Sequence, residues 1–271
     1  MMEKHQDLKN RGNNVILKTK NLTKKFGELI AVNNVSVEVK EGSFSVLFGP
    51  NGAGKTTWIN VVTGYLKKDG GEVWFDGKDI TNLSAAETYR LGLARSFQIP
   101  RIFPSLTVLE NILIARSENP GESFLRAPIK PLWKEAEEKI VREAFSVLKM
   151  IGLEDKWDML GGELSGGDAK LLDVGKAIMS GAKMLLIDEP IAGVNPSLAH
   201  TILDRLRKIK EEYGFTILIV EHRLDIALEY VDYAYAMANG RIIAEGKPYD
   251  VIQTPEVVES YLGEKYRYRL G

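Results

Sequence analysis

The chain of 271 residues contains no cysteine. That absence excludes a disulfide scaffold, a thiol nucleophile, an iron–sulfur cluster and a thiolate zinc site. Histidine is scarce as well, and His5, His200 and His222 lie too far apart in sequence to suggest a local metal site. Long hydrophobic runs are missing. A bilayer-spanning helix needs about 20 mostly apolar residues, whereas the strongest apolar runs, 184–187 and 217–220, are four residues each. Residues 1–14 are polar and lack the apolar stretch of a secretory signal, so they read as a tail. Neither charge is in excess: 36 Lys and Arg face 37 Asp and Glu, a net charge of -1, which argues against a dedicated nucleic-acid binder. Apolar types at 44% and charged types at 27% are close to globular averages and argue against disorder. The length fits either two units of roughly 150 residues or one large α/β domain with an inserted subdomain. These features predict a soluble cytosolic protein.

What is present has a clear pattern. Val35, Val37 and Val39 alternate with Ser36 and Glu38, as in a half-buried antiparallel strand. Residues 184–187 and 217–220 are continuously apolar, and 44–48 are so but for Ser45, as are parallel strands covered on both faces. Ile140, Val141, Ala144, Phe145, Leu148 and Ile151 repeat at helical spacing, and so do Leu198, Ile202, Leu206 and Ile209. Asn239-Gly240 between two strand-like runs predicts a hairpin, because both positions of a type I′ turn need positive φ. Residues 99–164 hold five of the ten prolines, a Gly-rich break and one long amphipathic helix. They read as a mostly helical subdomain inserted into an α/β core.

Gly49-Pro50-Asn51-Gly52-Ala53-Gly54-Lys55-Thr56 satisfies the pattern G-x-x-x-x-G-K-[ST], with a buried strand leading in and a helix-compatible run from Thr57 leading out. The glycines let backbone N–H groups wrap an anion, and the helix start adds its positive dipole end. Lys55 can reach the β- and γ-phosphates of a nucleotide, and the Thr56 hydroxyl can ligate Mg²⁺. Residues 184–187 end in Asp188-Glu189. In a parallel sheet ligands gather at the carboxyl ends of strands, so Asp188 is suited to hold Mg²⁺ and Glu189 to orient or deprotonate a water.

Leu164-Ser165-Gly166-Gly167-Asp168 precedes a helix. Ser165 and Asp168 stand in capping-box relation, and the glycine amides at a helix start could equally make a second phosphate site. With the order of the other elements, this segment decides the resemblance. Over roughly residues 15–264 the chain resembles the nucleotide-binding subunit of an ATP-binding cassette (ABC) transporter.

The resemblance implies a P-loop NTPase (RecA-like) α/β core with an N-terminal antiparallel β-subdomain and an inserted helical subdomain. On that plan 15–98 and 165–247 form the core, 99–164 the helical subdomain and 248–264 a C-terminal helix, with 265–271 a tail. It implies ATP and Mg²⁺ as cofactors. Phe26 resembles the aromatic residue that stacks on adenine. Gln98, in Ser96-Phe97-Gln98, looks like the glutamine that contacts Mg²⁺ and the water and senses the membrane subunit. Leu164 to Asp168 resemble the signature, whose Ser165 and Gly167 touch the γ-phosphate of ATP held by the opposite protomer. Glu189 matches the catalytic carboxylate, His222 the switch histidine, and Asn195 lies in the D-loop at the dimer seam. Two positions depart from the common pattern, Asp168 where glutamine is usual and Asn195 where aspartate is usual.

Ala94-Arg95-Ser96-Phe97-Gln98, Glu221-His222-Arg223-Leu224-Asp225 and Asn195-Pro196 look most like the ATPases of branched-chain amino acid importers. That branch implies a second ATPase subunit, identical or paralogous, and integral membrane permease subunits docking near Gln98. It also implies a solute-binding protein that acts indirectly, no nucleic acid partner, and a place for the chain on the inner face of the cell membrane. Relatives serving urea or amide import, or lipopolysaccharide export, leave the cargo open. A soluble ABC ATPase acting on nucleic acid or ribosomes is a reading of another class. The single cassette and an insert without sustained heptads argue against it. A regulatory module without turnover is opposed by intact Lys55, Glu189 and His222.

Overall fold

The computed structural model describes residues 14–96, 100–116 and 131–260, so Gln98 and the two predicted tails, apart from Asn14, lie outside the described residues. In chain order the first elements are β1 (Val15–Phe26), β2 (Leu29–Lys40), β3 (Phe44–Phe48), α1 (Lys55–Val62), β4 (Gly70–Phe75), β5 (Lys78–Asp79), α2 (Ala85–Arg90) and β6 (Leu93–Ser96). Then come α3 (Val108–Leu113), α4 (Pro131–Ile151), α5 (Gly166–Met179) and β7 (Met184–Asp188). The chain closes with α6 (Pro196–Tyr213), β8 (Thr216–Glu221), α7 (Leu224–Ala227), β9 (Tyr233–Ala238), β10 (Arg241–Gly246) and α8 (Pro248–Val251). These elements fall into two compact units. One is Met1–Gln98 with Met184–Gly271, and the other is Ile99–Lys183.

The first unit contains two sheets. An antiparallel sheet has the order β2-β1-β4-β5, and a six-stranded sheet the order β10-β9-β3-β8-β7-β6. In the larger sheet β9, β3, β8, β7 and β6 run parallel, and β10 is antiparallel to β9. Every residue of β3, β7 and β8 is buried, as strands covered on both faces must be. The alternation in β2 buries Val35, Val37 and Val39 and leaves Ser36 and Glu38 outside. Those valines join Leu17, Val73 and Phe75 of the small sheet, Trp58 of α1, and Leu186, Leu218 and Tyr235 of the large sheet in one core. Tyr235 reaches across it, its hydroxyl donating to the carbonyl of Glu38 at 2.7 Å. The β9–β10 hairpin turns at Asn239 and Gly240 with φ of 48° and 75°, both positive as the sequence predicts.

The second unit is built on helices. Asn111 is fully buried, and its side chain organises the turn before α3. It accepts from the Phe103 N–H at 2.8 Å and donates to the carbonyls of Phe103 and Thr107 at 3.0 Å. Residues 157–162 are clasped to that turn: Gly161 N–H donates to Leu106 and Gly162 N–H to Pro104. Helix α5 packs with α3 and α4. At the crossing, a Cβ on Gly175 would lie 2.7 Å from Ile151 and 2.9 Å from Ile112.

Two expected boundaries differ. The inserted unit extends to Lys183, past the predicted end at 164, because α5 buries Leu171, Leu172 and Ile178 among the helices before it. Of the predicted C-terminal helix, residues 248–260 are described, and they hold a single turn, α8, then a break at 252–254 before helix resumes over 255–260. Pro255 accounts for the break, since it has no N–H to donate and disfavours helix at Thr254.

Candidate functional site

The loop between β3 and α1 is shaped by close backbone approach. Gly54 has φ 103°, and a Cβ there would lie 2.2 Å from the carbonyl oxygen of Ala31. A Cβ on Gly49 would lie 2.0 Å from the carbonyl oxygen of Met237. The hairpin turn buttresses the loop: Gly240 N–H donates to Ala53 at 2.9 Å, and Asn33 N–H to Gly240 at 2.8 Å. Gly54 is the N-cap of α1 and supplies no side-chain cap. Lys55 is buried, its ammonium donating to the carbonyls of Gly49 at 2.7 Å and Pro50 at 2.9 Å. Asn51, Gly52 and Thr56 are exposed, Pro50 and Thr57 partly so, and Ala53 is buried. A glycine-wrapped helix start with a lysine ammonium suits a polyphosphate. Phe26 ends β1 with about half of its surface exposed, the Lys24 ammonium 5.4 Å from its ring centre.

The carboxyl end of β7 lies beside that of β8, Asp188 pairing in register with Val220. Asp188 is buried and bonded by the Arg95 guanidinium at 3.0 Å. The same guanidinium donates to Asn60 of α1 and lies 5.6 Å from the Tyr65 ring centre. Glu189, one residue past the strand, has φ 52°, a region sparsely populated by residues other than glycine. Its N–H donates to the Val220 carbonyl at 2.9 Å, and its Oε1 lies 3.7 Å from Nδ1 of His222. His222 is half exposed. Glu221 beside it is fully buried. Burial pushes the Glu221 carboxyl above its ordinary range, partly opposed by bonds from the N–H groups of Ile191, His222 and Arg223.

Thr56 and Asp188 are oxygen donors fitted to a hard cation. Mg²⁺ is held by one or two carboxylates together with phosphates and waters, and no cluster of three His, Asp or Glu among the described residues forms a metal cage by itself. Asn195 caps α6, its side chain accepting from the Leu198 N–H at 2.9 Å, with Pro196 in the first turn.

The Leu164-to-Asp168 segment belongs to the second unit. Ser165 is the N-cap of α5, and its hydroxyl oxygen accepts from the Asp168 N–H at 3.2 Å. The Asp168 carboxylate accepts from the Ser165 hydroxyl and from the Lys156 ammonium, each at 2.7 Å. The serine half of the capping box read from the sequence is therefore formed, while the Asp168 carboxylate bonds the Ser165 hydroxyl. Leu164 is partly buried, Gly167 is buried and Gly166 is exposed.

Sequence reasoning put Asp188 and Glu189 at a strand end beside the phosphates and His222 directly after residues 217–220; β7 and β8 carry them, and β8 pairs with β3, which leads into the loop before Lys55 and Thr56. That reasoning missed Arg95, Lys156 and Glu221. An arginine inside the buried strand β6 was a legible signal, because a buried charge needs a partner. Lys156 and Glu221 carried none.

A family model described as ABC transporter matches residues 32–192. The chain is 50% identical over 248 residues to a probable branched-chain amino acid transport ATP-binding protein LivG of Archaeoglobus fulgidus, covering 92% of this chain and 95% of that one. It is 48% identical over 253 residues to the protein of the same name from Methanocaldococcus jannaschii, covering 92% and 98%. A crystal structure of an ABC-transporter cassette in its ADP conformation aligns with TM-score 0.80 and 47% identity, over 93% of this chain and 100% of that one. A dimeric cassette in a post-hydrolysis state, bound to ADP and Pi, aligns with TM-score 0.69 and 28% identity, over 86% and 99%. The strand order, the glycine-wrapped loop and these likenesses agree: this chain belongs to the ABC transporter family, as an ATPase cassette.

Proposed function

We propose that this cassette powers import of branched-chain amino acids, as one of two ATPase subunits docked on membrane permeases. The observation that supports it best is the gathering of Lys55, Asp188, Glu189 and His222 at the carboxyl ends of β3, β7 and β8. The names carried by the relatives from Archaeoglobus fulgidus and Methanocaldococcus jannaschii support the cargo. The chain itself has no helix among the described residues long and apolar enough to cross a membrane, which accords with a peripheral place on the inner face.

Each residue has a physical task. The loop 49–54 and the first turn of α1 bind the phosphates, and the Lys55 ammonium leaves its loop carbonyls to pair with them. Phe26 offers its exposed ring to the base. Thr56, Asp188 and Gln98 hold Mg²⁺, which neutralises phosphate charge when bound. Glu189 orients a water and takes its proton. His222, near Glu189, contacts the γ-phosphate side. Ser165 and Gly167 of one subunit face the nucleotide of its partner, while Asn195 lies at the seam between them. Gln98 relays closure of the pair to the permease. Such phosphoryl transfer depends on positioning and charge neutralisation more than on covalent chemistry.

Two experiments test this. Glu189→Gln should give an ATP-stabilised dimer with little turnover; wild-type hydrolysis in that variant removes Glu189 from the role of base. Native membranes carrying the chain should yield a co-purifying permease, and its loss should collapse uptake of leucine, isoleucine or valine. Unimpaired uptake of all three would redirect the cargo to a urea, amide or lipid.

A further inference from the structure

Glu221 ends β8 without any exposed surface. A buried carboxylate is costly unless donors compensate it, and here three backbone N–H groups offset part of that cost. Ile191 N–H donates to Oε1 at 2.9 Å, and His222 N–H to Oε2 at 3.2 Å. Arg223 N–H is the third. Ile191 lies in the loop that follows Glu189, whereas His222 and Arg223 open the loop that follows β8. One carboxylate therefore ties together the two loops that carry the proposed base and the switch histidine.

Glu189 needs such a tie. Its left-handed backbone conformation persists only where the surroundings over-determine it. The bond from Glu189 N–H to Val220 fixes one side of that residue, and the bond from Ile191 to Glu221 fixes the chain two positions later. His222 Nδ1 then sits 3.7 Å from the Glu189 carboxylate and 3.9 Å from that of Glu221.

We propose that Glu221 is a positioning residue for ATP hydrolysis, holding the Glu189 and His222 loops at one spacing so that both groups are set together. This rests on the roles proposed for Glu189 and His222. The chemistry of the side chain makes the inference specific. A carboxylate accepts at both oxygens, whereas an amide of the same shape accepts at one position and presents a donor at the other. Glu221→Gln therefore keeps one loop and sets a donor against the N–H of the other. Glu221→Leu removes the acceptor from all three N–H groups.

The test measures single-turnover ATP hydrolysis and binding of a fluorescent ATP analogue, using the full chain with whichever subunits co-purify. Glu221→Gln should slow hydrolysis about tenfold or more while the nucleotide dissociation constant stays within about threefold. In a Glu189→Gln background the same substitution should change residual hydrolysis by less than about twofold, because its effect passes through Glu189. Hydrolysis within about twofold of wild type in Glu221→Gln, or an equal loss in both backgrounds, would overturn the inference. If Glu221→Leu does not fold, the isosteric glutamine variant carries the test. No hydrolysis by the wild-type assembly would instead overturn the proposed function and this inference with it. Wild-type hydrolysis that Glu221→Gln leaves unchanged overturns the inference alone.

Discussion

Helices α1 and α5 both start at a glycine-containing turn, but their first turns are completed in opposite ways. At α1 the N-cap is Gly54, which offers no side chain to the orphan N–H groups of the first turn. At α5 the N-cap is Ser165, which accepts from Asp168, and Asp168 in turn accepts from Ser165 and Lys156. The glycines differ in the same sense. Gly54 stands at φ 103° with no room for a Cβ, whereas a Cβ on Gly166 meets nothing within 4 Å. The start of α1 is thus shaped for an anion to complete, while at the start of α5 the Asp168 N–H is already bonded by the Ser165 side chain. This explains how an acidic residue is accommodated where the family commonly has glutamine. The ammonium of Lys156 offsets the charge of Asp168 before any phosphate approaches.

Four substitutions sharpen that contrast. The largest effect belongs to Lys55→Ala, which removes the cation from the α1 site and should lower kcat by about 10²–10³. Steady-state hydrolysis checks it, and a loss under about tenfold would contradict the assignment. Next is Gly54→Ala, expected to destabilise the fold by roughly 2–4 kcal/mol through left-handed strain and overlap with Ala31. Gly166→Ala, its counterpart at α5, should shift stability by less than about 0.5 kcal/mol. Denaturant unfolding of the two variants compares them directly, and equal losses would dissolve the distinction. Lys156→Ala also has only a small effect on folding. The partners are 40% and 21% exposed, so the pair contributes under about 1 kcal/mol. Its consequence should appear in function: ATP-driven association of Glu189→Gln subunits weakens, and adding Asp168→Gln restores it. Unchanged association would show that Asp168 needs no counter-charge.

Much of this was legible along the chain. Strands β3, β7 and β8 announce themselves because parallel strands buried on both faces are apolar along most of their length. The Asn239-Gly240 turn is legible because few residues tolerate positive φ twice in succession. The boundary after 164 was not legible, because the apolar face of α5 states that the helix packs but not against which neighbour. Arg95 and Asp188 are 93 positions apart in sequence, and Ile191 and Glu221 are 30 apart. Nothing local marks which partner is met in either pair.

The sequence by itself determined the phosphate loop, the acidic end of β7 and the capped glycine turn, along with the absence of cysteine chemistry and of any long apolar run. Those depend on residue type and short-range spacing, which backbone sterics and hydrogen bonding read directly. Only the tertiary structure decided which charges are offset and which strained residues are held. Arg95 meets Asp188 because β6 and β7 are neighbours in the sheet, and Glu221 reaches Ile191 because β7 and β8 are. Compensation of a buried charge is a property of proximity, and proximity between distant segments exists only once the sheet is assembled.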